Sequence, residues 1–224
     1  MTSSSEGASS IVYKSNMAAR LLMRSSGLLL IGGGLLQIPA TFADPDLYDL
    51  QSLKNPVEAP DHVLYWVAYL MITVGLPGAL IGQLERLASW GAAGFMLALA
   101  GSALTIAVSV IAAHVLPATV SVFGPSATFA GLLQPGGRLE SLLLPVALTS
   151  LTFFVGYVLF GVATARAGVF PGWCGWLLAA GAVLTLAAAA GPLGRIPVAV
   201  GSVLMGAAWV GVGRKLLVRD SLGP

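Results

Sequence analysis

"VLYWVAYLMITVGLPGALIGQL", Val63 to Leu84, runs for 22 residues without an Asp, Glu, Lys or Arg and is closed at once by Glu85 and Arg86. About 20 such residues are needed to carry a helix across about 30 Å of hydrocarbon. A run of this length, with its ends marked by charge, reads as a membrane span rather than a buried soluble helix. Working outward, the same pattern recurs on both sides. "SSGLLLIGGGLLQIPATF" follows Arg20 and Arg24, and further charge-free runs extend from about Ala88 to Leu116, Ser141 to Ala165, "PGWCGWLLAAGAVLTLAAAA", and "IPVAVGSVLMGAAWVGVG" before Arg214 and Lys215. The predicted fold is therefore all-α: a polytopic bundle of six transmembrane helices, at about 21–42, 63–84, 88–116, 141–165, 172–190 and 196–213. The whole chain agrees. Of its 224 residues 57% are hydrophobic and 9% charged, with mean hydropathy +0.89, against roughly 25% charged in a soluble domain.

Charge sets the predicted orientation. With the N-terminus in the cytoplasm, Lys14, Arg20, Arg24, Arg86, Arg166, Arg214, Lys215 and Arg219 fall inside, and only Lys54, Arg138 and Arg195 fall outside. Short cytoplasmic connections carry the excess of Lys and Arg, so both termini are expected to be cytoplasmic, in a multi-pass protein of the inner membrane. Residues 1–19 are expected to be a disordered tail, 20–217 the membrane domain and 218–224 a second tail. The acidic stretch "ADPDLYDLQSLKNPVEAPDH", residues 43–62, then forms the first external loop, where acids are tolerated. Its Asp44, Asp46 and Asp49 lack the glycine and closing Glu of a calcium loop. One alternative stays open: "PATFA" before Asp44 also fits a signal-peptide cleavage site, which would leave five helices and an external N-terminus.

Apart from Arg24 at the start of the first, no Asp, Glu, Lys or Arg lies inside any span. Proton relays and voltage sensors depend on such groups, so their absence argues against a pump or proton-coupled transporter. The single cysteine, Cys174, excludes an internal disulfide and any Cys-rich metal site, and nothing basic enough for nucleic acid is present. The candidate metal ligands are His62, His114 and Glu140, all expected at the external level, with Asp61 available to orient an imidazole. The two histidines could alternatively ligate a haem, or be interfacial residues with a polar tip in water. No HExxH-type spacing joins them, and no cofactor is expected.

Other features concern packing. Pro77 removes a backbone hydrogen bond within the second span and is expected to kink it. Gly32, Gly33 and Gly34 in the first span, and Ser202, Gly206, Ala207 and Gly211 in the sixth, give small-residue faces for close helix contact, within the chain or with another subunit. Phe153, Phe154, Tyr157 and Phe160 cluster in the fourth span and either fill the core or line an apolar pocket. Tyr65, Trp66, Tyr69, Trp90, Trp173, Trp176 and Trp209 are read as interfacial belts. The apolar segment 117–140 is a candidate external lid.

Two hairpins echo each other at an offset of 80 residues: "AGSALTIA", Ala100 to Ala107, returns as "AGAVLTLA", Ala180 to Ala187, and Arg86 as Arg166. Coincidence among Ala- and Leu-rich helices would look similar. With the early Arg, "LLLIGGGLLQIPATF", "FPGWCGWLLAAGAVLTL" and "AAWVGVGRKLL", the chain resembles a group of bacterial six-helix membrane proteins defined only as a domain of unknown function. The resemblance implies six helices and assigns no residue a role. Three functions are compatible with these readings. They are a non-catalytic accessory, scaffold or assembly subunit, in contact with lipid and, through its small-residue faces, with other membrane subunits or its own copies; a transporter or binder of a neutral or apolar ligand; and a metal- or haem-dependent enzyme at the external histidines.

Overall fold

The computed structural model describes residues 3–43, 58–115, 143–190 and 196–221. They form six α-helices: α1 (Ser3–Ala43), α2 (Glu58–Ile81), α3 (Ser89–Val110, continued by a π turn, Ile111–Val115), α4 (Leu143–Ala167), α5 (Gly172–Ala190) and α6 (Ile196–Ser221). No strand occurs among the described residues. The six-helix, all-α membrane bundle expected from the sequence is what the chain forms. Five helices are long and apolar enough to cross a membrane, and the apolar part of the remaining one, Gly172–Ala187 in α5, is shorter.

Boundaries differ most at the start of α1 and the end of α6. α1 starts at Ser3 and not near residue 20, so the expected disordered tail has helical backbone; between Ser3 and Arg20 there is no Pro and one Gly to interrupt it. α6 runs on past residue 213 to Ser221, because Leu216 is fully buried while Arg214 and Lys215 are exposed, which suits an interfacial helix turn. α2 passes through Pro77 as one continuous helix, as neighbouring helices permit in a membrane. Residues 44–57 and 116–142, with Asp44, Asp46, Asp49 and Glu140, lie outside the described residues, as do the side chains of Glu58 and Asp61.

Each helix packs against its neighbour in sequence, and α6 returns to α1 to close a ring. Glycines set the spacing. A Cβ on Gly34 would come 2.7 Å from the Gly206 carbonyl oxygen, and one on Gly206 would come 2.6 Å from that of Gly34. Gly27 and Gly213 repeat the arrangement two turns away, so α1 and α6 run antiparallel with backbones in near contact. Gly33 meets α2 at Ala68 and Ile72, while Gly34 meets α6, so α1 presents successive glycines to its two neighbours. Gly94 and Gly101 meet Phe160 and Phe153 between α3 and α4, Gly161 and Gly175 meet between α4 and α5, and Gly181 and Gly201 meet between α5 and α6. Without a hydrophobic drive between helices in lipid, such small-residue contacts carry the association.

The outside of the ring is apolar: Leu28, Leu35, Leu70, Val74, Met96, Leu151 and Val183 are all exposed. That would be an aggregating surface in water and is a proper one in lipid. Arg24, Arg86, Arg166, Arg214 and Lys215 gather at one end, called here the basic end. His62, Ser109, His114, Thr149 and Ile196 mark the opposite end.

Candidate functional site

One neighbouring pair lacks the glycine contacts. Between α2 and α3 no glycine of either helix meets the other's backbone, although α2 still packs against α3 and its π turn. Towards the end opposite the basic loops lies a cavity of about 250 Å³ walled by α2, α3, α4 and α5. Its aromatic wall is Tyr65, Tyr69, Phe153 and Phe154, and its polar lining is His62, Thr105, Ser109, Thr149, Ser150 and Thr185. The volume lies just under the roughly 300–1,000 Å³ of drug-sized pockets.

The hydroxyl chemistry is directional. Thr105, Thr149, Ser150 and Thr185 each donate to the carbonyl oxygen four residues earlier, at 2.8, 2.8, 3.1 and 2.9 Å. A hydroxyl has one proton to give and two lone pairs to offer. With the proton committed to the helix, these four groups present acceptors to the cavity. Among the described residues no carboxylate belongs to its lining.

Below the cavity the ring is filled. Tyr65 stacks on Tyr69 at 5.8 Å, Tyr69 meets Phe153 edge-on at 5.5 Å, Phe153 meets Tyr157 at 4.6 Å, and Tyr157 meets Trp209 at 5.7 Å. This line of rings crosses from α2 through α4 to α6. Edge-to-face pairs of this kind add about 0.5–1.5 kcal/mol each beyond area burial. Tyr157 also shares a buried 2.6 Å hydrogen bond with Ser102 of α3. At the mouth side, Thr41 ties three helices together, 2.9 Å from the Tyr65 hydroxyl and 2.8 Å from Ser202 Oγ. Nearer the basic end, Gln83 Nε2 donates to Thr164 Oγ1 at 3.0 Å.

The sequence candidates distribute as follows. Phe153 and Phe154 line the cavity, whereas Tyr157 and Phe160 are buried in the core, Phe160 edge-on to Phe95 at 5.6 Å. His62 is 5% exposed and faces the cavity, while His114 is exposed on the π turn. Glu140 lies outside the described residues, among which no group of three or more His, Cys, Asp or Glu could hold a metal ion. The small-residue faces are occupied within the chain: Gly33, Gly34, Gly206 and Ser202 at α1 contacts, and Gly211 against Trp173 and Cys174 of α5. Gly32 faces the flexible end of Met71, and Ala207 is half-buried. Two belt aromatics are instead internal, Tyr69 at 6% and Trp209 at 1% exposure, while Trp90, Trp173 and Trp176 are exposed at the basic end.

Sequence reasoning missed the hydroxyl lining. A signal for part of it was present, since Thr105 and Thr185 are equivalent residues of the two echoed segments. Each donates to an equivalent glycine, Gly101 or Gly181, and both line the cavity.

These features define a class: a polytopic helical membrane protein, closed by glycine contacts around most of its ring and carrying a cavity at one end. No protein-family profile, curated protein or solved structure matches the chain.

Proposed function

We propose that the protein is a non-catalytic membrane-embedded binder of a small neutral ligand, oriented with its cavity on the external side and its basic end in the cytoplasm of a bacterial inner membrane. The observation that carries this reading is the cavity itself, lined by the aromatic rings of Tyr65, Tyr69, Phe153 and Phe154 and by hydroxyl acceptors from α3, α4 and α5. A ligand complementary to it has an apolar body and an O–H or N–H donor. A cationic ligand would find no carboxylate among the described lining residues. The buried rings of Phe153, Tyr157 and Trp209 beneath the cavity favour binding over permeation, since they leave the pocket with a packed floor.

A thermal-unfolding screen of the purified protein tests this, using small alcohols, phenols and amides against their ether or ester analogues. Donors should raise the melting temperature and the analogues should not, with stabilisation of about 2.7 kcal/mol at one hundred times Kd. Thr149→Leu, which puts a side chain into the cavity, should abolish the response. Equal stabilisation of the Thr149→Leu variant would refute the assignment.

A further inference from the structure

A second concavity lies on the outside of the ring at the basic end, away from the cavity. It is a groove of about 290 Å³ between the start of α5 and the last turns of α6. On α6 its residues are Val210, Gly211, Arg214, Lys215 and Val218, whose spacing places them along one helical face. Trp173 of α5 forms the facing wall, half exposed. Gly211 is what lets the indole lie there: a Cβ at that position would run into the Trp173 ring. Arg214 and Lys215 are exposed and have no hydrogen-bond or ion-pair partner among the described residues. The contrast with Arg166 is informative, because its guanidinium already sits over the Trp90 ring at 5.9 Å.

We propose that this groove binds an anionic phospholipid, with the phosphate between Arg214 and Lys215 and an acyl chain along Trp173 and Val210. A guanidinium fork matches phosphate oxygens and an ammonium adds a point charge. Val210 lies one helical turn, about 6 Å, deeper towards the membrane centre than Arg214, where acyl chain replaces headgroup. Trp173 has the amphipathic ring that sits at that boundary. Basic pockets between helices on the cytoplasmic side are the usual place for such recognition.

The test uses the full chain reconstituted in phosphatidylcholine vesicles, with brominated phosphatidylglycerol or brominated phosphatidylcholine as quencher of tryptophan fluorescence. The anionic lipid should quench more at equal mole fraction, and Trp173→Phe should remove that difference. Arg214→Gln with Lys215→Gln should lower the preference roughly fivefold per charge removed. Arg20→Gln with Arg86→Gln removes two charges from the same end and should leave the preference intact. Equal loss in both pairs would reduce the effect to the general field of the basic end and overturn the proposal. Displacement of the brominated lipid by inorganic phosphate would overturn the lipid assignment in favour of a free anion. Native mass spectrometry gives an independent readout: anionic lipid retained at unchanged stoichiometry by the Gln pair would also refute it.

Discussion

The α2–α3 and α4–α5 hairpins share an 80-residue offset, an Arg near each turn, and a Gly and Thr four residues apart in their second helices. They nevertheless pack differently. In α4–α5 the helices interpenetrate at Gly161 and Gly175, where a Cβ on Gly161 would come 2.7 Å from the Gly175 carbonyl oxygen. The equivalent positions in α2–α3 are Ile81 and Phe95. At those positions Ile81 is exposed and Phe95 packs edge-on to Phe160 of α4, so α2–α3 has no such interpenetration, and the cavity lies towards the other end of the bundle. Glycine at two positions, and not overall hydrophobicity, distinguishes the close approach in α4–α5 from the contact in α2–α3.

The largest effect should come from closing that difference from the α4–α5 side. Gly175→Leu forces a side chain onto the backbone of Ala165, which cannot rotate away. A loss of about 3 kcal/mol or more is expected, seen as a collapse of the melting temperature in detergent. Gly206→Leu attacks ring closure in the same way, a Cβ there lying 2.6 Å from the Gly34 carbonyl oxygen and 2.9 Å from the flexible Ile38 side chain. It should cost about 2 kcal/mol, and a variant as stable as the parent would show the α1–α6 contact to be looser than described.

Tyr157→Phe removes the 2.6 Å bond to Ser102 while keeping the ring packing. A loss of about 1 kcal/mol is expected, since interhelical hydrogen bonds in membranes average near 0.6 kcal/mol. Smallest of all should be Ser109→Leu in the α2–α3 hairpin. It adds volume to a wall of the cavity and should change stability by less than about 1 kcal/mol. Parity between Ser109→Leu and Gly175→Leu would dissolve the contrast between the two hairpins.

Much of the architecture was legible from the runs themselves, because charge-free length at Val63–Leu84 and its counterparts is a direct consequence of the bilayer. The boundaries were less so: hydropathy stops at Arg214, but helical backbone does not, since Leu216 still finds a buried contact. The glycine stripes identified faces but not partners, and Gly33 and Gly34, adjacent in sequence, meet different helices. The cavity was least legible. Thr105, Thr149, Ser150 and Thr185 are ordinary residues of apolar helices until the ring brings them together. Trp209 failed as a belt residue for a similar reason, because composition does not reveal which face of α6 looks inward.

The central claim of the proposed function, a cavity reached from the external side above a packed floor, is tested most directly by thiol accessibility. In a Cys174→Ala background, Ser109→Cys sits in the cavity lining and Ser102→Cys sits beside Tyr157 beneath it. A small membrane-impermeant thiol reagent, applied to either side of sealed vesicles, should label Ser109→Cys from the external side only and Ser102→Cys from neither. Ser109→Cys labelled only from the cytoplasmic side, or inert from outside while Ser102→Cys reacts, would contradict it.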